Sequence, residues 1–125
     1  MADFKFDHIH LYSSDPLKTS DFYVKLLGAQ KRGSQTDPKG RTVVDVVLNG
    51  ILIKISQPWD AATQGKLGLD HFGMVTDNLD SAIAELKAQG VDFVMEKTPL
   101  PGAYISFFNG PEKVLIEVIE EKQKA

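Results

Sequence analysis

Cysteine is absent from this sequence of 125 residues. Its absence excludes disulfide bonds, thiolate metal sites and catalytic cysteines, and it is compatible with the cytoplasmic location that we expect. Long apolar stretches are also missing. Residues 1–5 lack the hydrophobic core of a signal peptide, and no apolar run is long enough to span a bilayer. The sequence therefore predicts no membrane partner.

The sequence also lacks a marked excess of positive or negative charge. The net charge is −3, which gives no indication of a nucleic-acid partner. Hydrophobic residues make up 42% of the chain and charged residues 25%, and this balance favours a folded protein over a disordered one. The length suits a single domain, residues 1–125, with a core of its own.

The first half of the chain shows strand and helix patterns in the order β-α-β-β-β, which defines a first module at 4–56. A helix begins at Asp15-Pro16, because Asp favours the N-cap and Pro the first helical position, and it ends at Gly28. Asn49-Gly50 predicts a tight hairpin turn. The predicted strands are 4–12, 29–36, 41–48 and 51–56, and the predicted apolar face of the helix is Leu17, Phe22, Tyr23, Leu26 and Leu27.

The same order repeats in a second module, residues 69–120, after a linker at 57–68. A shift of 63 positions aligns 69–75 with 6–12 and places Asn78, a second helix cap, on Asp15. We expect Trp59 in the linker to pack over the core edge or at a subunit contact. The second helix has the apolar stripe Leu79, Ala82, Ile83 and Leu86, the strands are 91–97, 103–108 and 114–119, and Asn109-Gly110 is predicted to repeat the Asn49-Gly50 turn.

The last predicted strand, 114–119, is apolar and β-branched except at Glu117. A strand that is apolar on both faces is covered on both faces. The residues that share a face with Glu117 in a strand, Leu115 and Ile119, are apolar, so that face does not read as a solvated one. A buried carboxylate is costly unless it is paired or binds a metal. We therefore expect Glu117 to point into a cavity with a function.

The 63-residue shift places Glu117 on Lys54 and His71 on His8. A single histidine in a strand is more often a hydrogen-bonded core residue than a ligand. Two histidines at matched positions, together with a carboxylate in the middle of a strand, favour a metal site instead. If the two halves pack about a pseudo-twofold axis, these four positions converge on one cavity.

The chain resembles the vicinal oxygen chelate superfamily, which includes glyoxalase I, methylmalonyl-CoA epimerase, extradiol dioxygenases and fosfomycin resistance proteins. The resemblance implies an α+β fold in which two βαβββ modules form a curved mixed sheet around a metal cavity, with the helices on its outer face. By position, His8, His71 and Glu117 match the ligands of the family's divalent metal (Zn, Ni, Co, Mn or Fe). The resemblance lies in Asp7-His8-Ile9-His10-Leu11, Asp15, Phe22-Tyr23, Leu27-Gly28, Leu69-Asp70-His71, Asn109-Gly110-Pro111 and Ile116-Glu117-Val118.

Lys54 departs from the family pattern. Glyoxalase I and the epimerases carry Glu or Gln at this position as a fourth ligand, and a protonated lysine has no lone pair for a metal. Two readings of Lys54 stay open. Its stem can lie on the core while the ammonium reaches solvent, or the ammonium can face the metal cavity and hold an anionic substrate oxygen or act as an acid or base.

Further candidate site residues follow from their position beside the proposed ligands. His10 shares a strand face with His8 and is a candidate for substrate hydrogen bonding or proton transfer, although it can equally be part of the cavity wall. Phe6, Tyr104 and Phe107 are candidate substrate contacts. Phe107 stands where fosfomycin resistance proteins, by resemblance, carry a substrate tyrosine, which is a departure from that subtype. Tyr104 and Asp45 are the weaker candidates.

The resemblance implies a metal-dependent lyase or isomerase that acts on a small substrate chelated through neighbouring oxygens, with Glu117 as the catalytic base. From their strand positions, and not from the resemblance, Lys54 and His10 are further candidate catalytic residues, and Lys54 would suit an anionic substrate. Two alternatives stay open: a metal-free ligand-binding protein similar to bleomycin resistance proteins, and an Fe(II) extradiol-type dioxygenase. Small members of the family also imply a homodimer.

Overall fold

The computed structural model of the chain describes residues 3–60 and 66–123. The predicted order β-α-β-β-β occurs twice, as the repeat indicates. In the second module a short 3-10 turn, Pro111–Lys113, precedes the last strand. The elements are β1 (Lys5–Tyr12), α1 (Pro16–Leu27), β2 (Gln30–Thr36), β3 (Thr42–Leu48), β4 (Ile51–Ser56), β5 (Gly68–Val75), α2 (Leu79–Ala88), β6 (Phe93–Leu100), β7 (Ala103–Asn109) and β8 (Leu115–Glu121).

Contacts divide the chain into two units, His8–Asp70 and the remainder, so β1 contributes its first residues to one unit and its last residues to the other. In the His8–Asp70 unit the strands lie in the order β2-β3-β4-β1. β1 runs parallel to β4, and the other pairs are antiparallel, which makes the sheet mixed. The single domain with module bounds 4–56 and 69–120 stays a prediction.

Helix α1 begins and ends where the sequence predicts. The Asp15 carboxylate accepts a hydrogen bond from the backbone N–H of Lys18 at 3.2 Å, and Gly28 ends the helix in the left-handed conformation at φ 77°. The helix covers the sheet face that carries the core of this unit. That core consists of Ala29, Val44, Val46, Ile53 and Ile55, with Leu11, Tyr23, Val24 and Leu48 packed against it.

The predicted apolar face of α1 is right at Tyr23 and wrong at its other four residues. Leu26 is 67% exposed and Phe22 is 53% exposed, whereas Pro16 and Ser20 are buried and Tyr23 and Val24 contact the core. The helix carries apolar residues on more than one side, and sequence periodicity alone does not select the side that meets the sheet. Ser20 tolerates burial because its hydroxyl donates to the carbonyl of Leu17 at 2.8 Å. Leu17 and Leu27 are also exposed.

The second unit has the strand order β5-β8-β7-β6, with β5 parallel to β8. Asn78 caps α2 by accepting a hydrogen bond from the Ser81 N–H at 3.0 Å. The predicted stripe of α2 is confirmed, because Leu79 and Ala82 are fully buried and Ile83 is 8% exposed. The core of this unit consists of Leu79, Ile83 and Val118, with Phe4, Phe93, Tyr104 and Phe108 packed against it.

The internal repeat extends to strand register. His8 lies opposite Leu52 in the β1–β4 pair, and His71 lies opposite Leu115 in the β5–β8 pair. Both partners are related by the 63-residue shift that relates the two histidines. Lys54 and Glu117 therefore occupy equivalent places on equivalent strands, as predicted.

One predicted turn is wrong. Asn49 and Gly50 form the expected hairpin turn with φ values of 50° and 85°. Asn109-Gly110 does not repeat that conformation, because Asn109 is the last residue of β7 and Gly110 has an extended φ of −79°. The matching left-handed residues are Glu112 and Lys113, with φ values of 59° and 60°. They lie 63 positions after Asn49 and Gly50, so the backbone geometry of the turn repeats although its residue types do not.

The described start of the linker is held by a cation–aromatic cluster. The Trp59 ring lies 3.9 Å from the Lys39 ammonium and 4.3 Å from the Arg41 guanidinium carbon. Arg41 also donates to the carboxylate of Asp37 at 2.6 Å and to the carbonyl of Gln57. Linker residues 61–65 lie outside the described residues. No helix in the described part of the chain is long and apolar enough to cross a membrane.

Candidate metal centre

Strand β8 places Glu117 on the sheet face away from α2. Its neighbour Val118 is 1% exposed and belongs to the core beneath the helix. Because side chains alternate along a strand, Glu117 projects from the opposite face. It is nevertheless 8% exposed, so a carboxylate is buried in the middle of this strand as predicted.

His71 is the ionisable partner of Glu117. Its Nε2 lies 3.2 Å from Glu117 Oε1, and the histidine is 7% exposed. Desolvation of a carboxylate is unfavourable unless a polar group or a cation faces it, and this contact meets that requirement. His71 and Glu117, two of the three proposed ligands, are therefore in contact within one unit.

Phe107 and Gly73 shape the space around this pair. Both are register partners of Glu117, Phe107 on β7 and Gly73 on β5. The Phe107 ring packs edge-on against the His71 ring with centroids 5.1 Å apart. An apolar wall therefore lies on one side of the carboxylate, and a residue without a side chain lies on the other.

His8 and His10 project from the same face of β1 in the other unit. His8 is 2% exposed and is therefore more deeply buried than His71. His10 Nε2 and the Ser56 hydroxyl share a hydrogen bond of 2.7 Å, which fixes the plane of the His10 ring. The approach of His8 to the His71–Glu117 pair stays a prediction.

Lys54 lies beside His10 and faces Asp45. Its strand position is opposite His10 on β1 and opposite Asp45 on β3. The ammonium is 3.6 Å from Asp45 Oδ2, and the lysine side chain is 34% exposed. The core residues Ile53 and Ile55 point to the helix side, so Lys54 lies on the opposite face, the same face as His10.

The structure places Tyr104 on the sheet face away from Glu117, and a substrate contact of Tyr104 stays a prediction. Tyr104 packs against the α2-side core, and alternation puts it on the opposite face from Phe107. The Lys97 and Lys122 ammonium groups lie 4.4 and 4.8 Å from its ring centroid. Tyr104 lines a shallow cavity of about 370 Å³ at that face.

Phe6 stacks on Phe72 with ring centroids 6.0 Å apart and is 49% exposed. Phe72 alternates along β5 with the buried His71. A substrate contact of Phe6 stays a prediction.

Glu120 does not lie free in water at the strand end. Its carboxylate accepts a hydrogen bond of 2.7 Å from the backbone N–H of Leu79, the first residue of α2. A negative charge at a helix N-terminus is stabilising, because the first N–H groups of a helix have no partner within it. Glu120 therefore links β8 to α2 and is unsuitable as a neutral control for Glu117.

The pKa values of two groups, Asp37 and Lys97, depart from their usual values. Burial raises the pKa of Asp37, but hydrogen bonds from the Arg41 backbone and guanidinium outweigh it and hold the pKa below its usual value. The hydrogen bond from Lys97 to the Asp80 carboxylate raises the pKa of the Lys97 ammonium. Both shifts are caused by local ion pairs, Arg41 with Asp37 and Lys97 with Asp80, and neither group is a proposed metal ligand.

The predicted site residues thus form two groups, one in each unit. In one unit His71 contacts both Glu117 and Phe107. In the other unit one sheet face carries His8, His10 and Lys54. Two residues beside the site, Ser56, which hydrogen-bonds His10, and Gly73, were not predicted from the sequence. Their signal was available in the alternation of strands, because each lies two residues from a proposed site residue.

A family model described as Glyoxalase/Bleomycin resistance protein/Dioxygenase superfamily matches residues 5–118 of the chain. This match covers most of the 125 residues, including every proposed ligand. No curated protein matches the sequence significantly.

Solved structures share the fold over nearly the whole chain. A hypothetical protein from Bacillus halodurans C-125 is 24% identical with a TM-score of 0.80, and the match covers 98% of each chain. Methylmalonyl-CoA epimerase from Mycobacterium tuberculosis is 20% identical with a TM-score of 0.74, covering 94% of this chain and 88% of that one. A Streptomyces coelicolor methylmalonyl-CoA epimerase variant is 21% identical with a TM-score of 0.74, covering 95% and 98%. At these identities the likeness shows the fold alone, and it confirms the predicted α+β class with two βαβββ modules of mixed strands.

Proposed function

The chain belongs to the Glyoxalase/Bleomycin resistance protein/Dioxygenase superfamily, and from that premise we propose that it is a metal-dependent lyase or isomerase. Its substrate is a small molecule that presents neighbouring oxygens. The proposed ligands of a divalent cation are His8, His71 and Glu117. Two histidines and one carboxylate leave coordination positions open for a substrate.

The contact between His71 and Glu117 carries the proposal. Ligand atoms about 2.0–2.2 Å from a zinc-like cation lie about 2.8–3.6 Å from one another at octahedral or tetrahedral angles. The observed separation of Nε2 and Oε1 is 3.2 Å, so the two atoms fit adjacent coordination positions. Both residues are buried, and a buried carboxylate beside imidazole is a donor set that suits first-row divalent metals.

His8 completes the set because it is the repeat equivalent of His71. The two histidines have equivalent register partners, Leu52 and Leu115, and both are buried. His10 is a weaker candidate ligand, since Ser56 engages its Nε2.

The bound cation would supply Lewis-acid stabilisation of negative charge on substrate oxygens. Glu117 is the proposed proton acceptor, since Gly73 beside it has no side chain to obstruct a substrate. Phe107 excludes water from the His71 side of the carboxylate. Lys54 donates to an anionic oxygen of the substrate, and His10, oriented by Ser56, is the proposed hydrogen-bonding or proton-carrying residue.

Metal analysis of protein purified without chelators or a nickel column tests the proposal. We expect nickel, cobalt, manganese or zinc in the wild-type protein, and we expect His8→Ala and His71→Ala to lose it. His10→Ala is the matched control, because it removes the chain's remaining histidine while leaving the proposed ligands in place.

Three outcomes contradict the proposal. Protein that neither contains nor binds a divalent metal indicates the metal-free binding protein. Iron with oxygen-dependent ring cleavage indicates the extradiol-type enzyme. Loss of metal from His10→Ala equal to the loss from His8→Ala shows that the ligand set is wrong.

We also predict a homodimer. Four apolar side chains of α1, at Leu17, Phe22, Leu26 and Leu27, are about half exposed or more, and exposed apolar groups of this kind favour association. Light scattering should give twice the chain mass. A mass equal to one chain over the whole concentration range would refute the dimer.

A further inference from the structure

Apolar residues adjoin Glu117 on its own sheet face, in the direction of the end of β8. Ile119 is the next residue of β8 on that face, and its register partners are Val75 on β5 and Ile105 on β7. Phe107, the register partner of Glu117, precedes none of them in the core beneath α2 and shares their face. Val75, Ile105, Phe107 and Ile119 are called the apolar patch below.

The apolar patch keeps accessible surface. All four of its residues are partly exposed, whereas Ser106 and Val118, which alternate with them on the helix side of β7 and β8, are 0% and 1% exposed. Packing against α2 therefore does not cover the patch. Ligand sites commonly combine a mostly apolar lining with a few polar groups that fix orientation, and here the polar groups are the His71–Glu117 pair.

The register gives the patch a length. Ile119 lies two residues beyond Glu117 on β8, and Ile105 lies two residues before Phe107 on the antiparallel β7. At about 3.3 Å for each residue of a strand, the patch extends about 7 Å from Glu117. Carbon–carbon bonds are about 1.5 Å long, so a chain of about four to six carbon atoms spans this distance.

We infer that the apolar patch binds an alkyl or aryl substituent of the substrate, and that Ile105 and Ile119 determine this specificity. The inference rests on the proposed function and adds to it a substrate class, a molecule with neighbouring oxygens at one end and an apolar group at the other. Such a molecule suits this face because its polar end can meet the His71–Glu117 pair while its apolar end covers the patch.

Calorimetric titration of the full-length protein, as purified with its metal, tests this inference with hydroxamates of increasing length. A hydroxamate presents two neighbouring oxygens to a metal, and acetohydroxamate, butanohydroxamate and hexanohydroxamate differ only in the alkyl chain. Burial of one methylene group raises affinity by about three- to fourfold, so we expect a gain of about tenfold at each step of the series.

Ile105→Thr and Ile119→Thr place a hydroxyl in the patch and keep a β-branched side chain that suits a strand. Each should reduce the gain at each step to about threefold or less, with metal content and the affinity for acetohydroxamate unchanged. Ile51→Thr is the matched control, because Ile51 is 44% exposed at the start of β4 in the other unit. It should give the wild-type series.

Equal affinities of the wild-type protein for all three hydroxamates would overturn the inference. A series that is unchanged in both patch variants, or one that is equally flattened in Ile51→Thr, would do the same. If one patch variant does not fold, the other decides. Light scattering adds a further contrary outcome, because conversion of a dimer to a monomer by Ile105→Thr would identify the patch as a subunit contact.

Metal analysis of the same samples separates this inference from the proposed function. Bound metal without a dependence on chain length removes the inference and leaves the metal site standing. Protein that binds no metal contradicts the proposed function, and 1-butanol and 1-hexanol then replace the hydroxamates as probes of the patch. A gain from butanol to hexanol that Ile105→Thr abolishes supports the inference without the metal, whereas equal affinities or absence of binding overturn it.

Discussion

Glu117→Gln is expected to lose the divalent metal almost completely. The substitution keeps the shape of the side chain and an oxygen acceptor, but it removes the negative charge that faces His71 Nε2 at 3.2 Å. Changes to residues that merely support metal ligands lower affinity by about 10- to 100-fold, so loss of a charged ligand should cost at least about 100-fold. Competition titration with a chromogenic chelator measures this affinity, and catalytic activity should fall with it.

The matched control for Glu117→Gln is Glu121→Gln. Both glutamates belong to β8, but Glu121 is exposed at its end, whereas Glu117 is buried. Glu120 is unsuitable because its carboxylate binds the first N–H of α2. Equal losses of metal in the Glu117 and Glu121 variants would contradict the assignment of Glu117 as a ligand.

Thermal unfolding of metal-free samples distinguishes loss of a ligand from loss of the fold. The glutamine side chain keeps an oxygen that can accept a hydrogen bond from His71 Nε2, and it removes a charge whose desolvation is unfavourable. The metal-free Glu117→Gln protein should therefore unfold at the same temperature as the metal-free wild type or at a higher one. A markedly lower midpoint would attribute the lost metal to a damaged fold.

Lys54→Met is expected to leave metal affinity unchanged or improved while impairing substrate binding. Methionine preserves the length and apolar stem of the side chain and removes the positive charge, which would repel a nearby cation. A hydrogen bond to a charged group contributes about 1.5–3 kcal/mol, so affinity for an anionic substrate should fall by about 10- to 100-fold. Metal titration and the KM for a carboxylate substrate are the measurements.

Lys54→Arg provides the control for charge. It keeps a cation opposite Asp45 but changes its shape, so binding of an anionic group should be largely retained. If Lys54→Met instead removes the metal, Lys54 supports the metal site itself, and the role proposed for its ammonium is wrong.

The sequence by itself determined the local elements and their repetition. Alternating apolar residues specified β1 and β5, and the same 63-residue shift that aligns Asp7-His8 with Asp70-His71 also relates the observed strand registers. The helix caps Asp15 and Asn78 act as predicted. These features were predictable because period, capping and two-residue turns depend on residues close together in the chain.

Tertiary structure alone decided which partner each polar side chain meets. The pairs His10–Ser56 and Lys54–Asp45, and the bond from Glu120 to Leu79, join residues on different elements. The side of α1 that is buried likewise depends on the sheet beneath it, which leaves Phe22 and Leu26 exposed despite their apolar character. The alternation of side chains along a strand tells which face a residue occupies. The residues across from it depend on the register and packing of neighbouring elements. Those contacts join segments that are distant in the chain, so local propensity does not determine them.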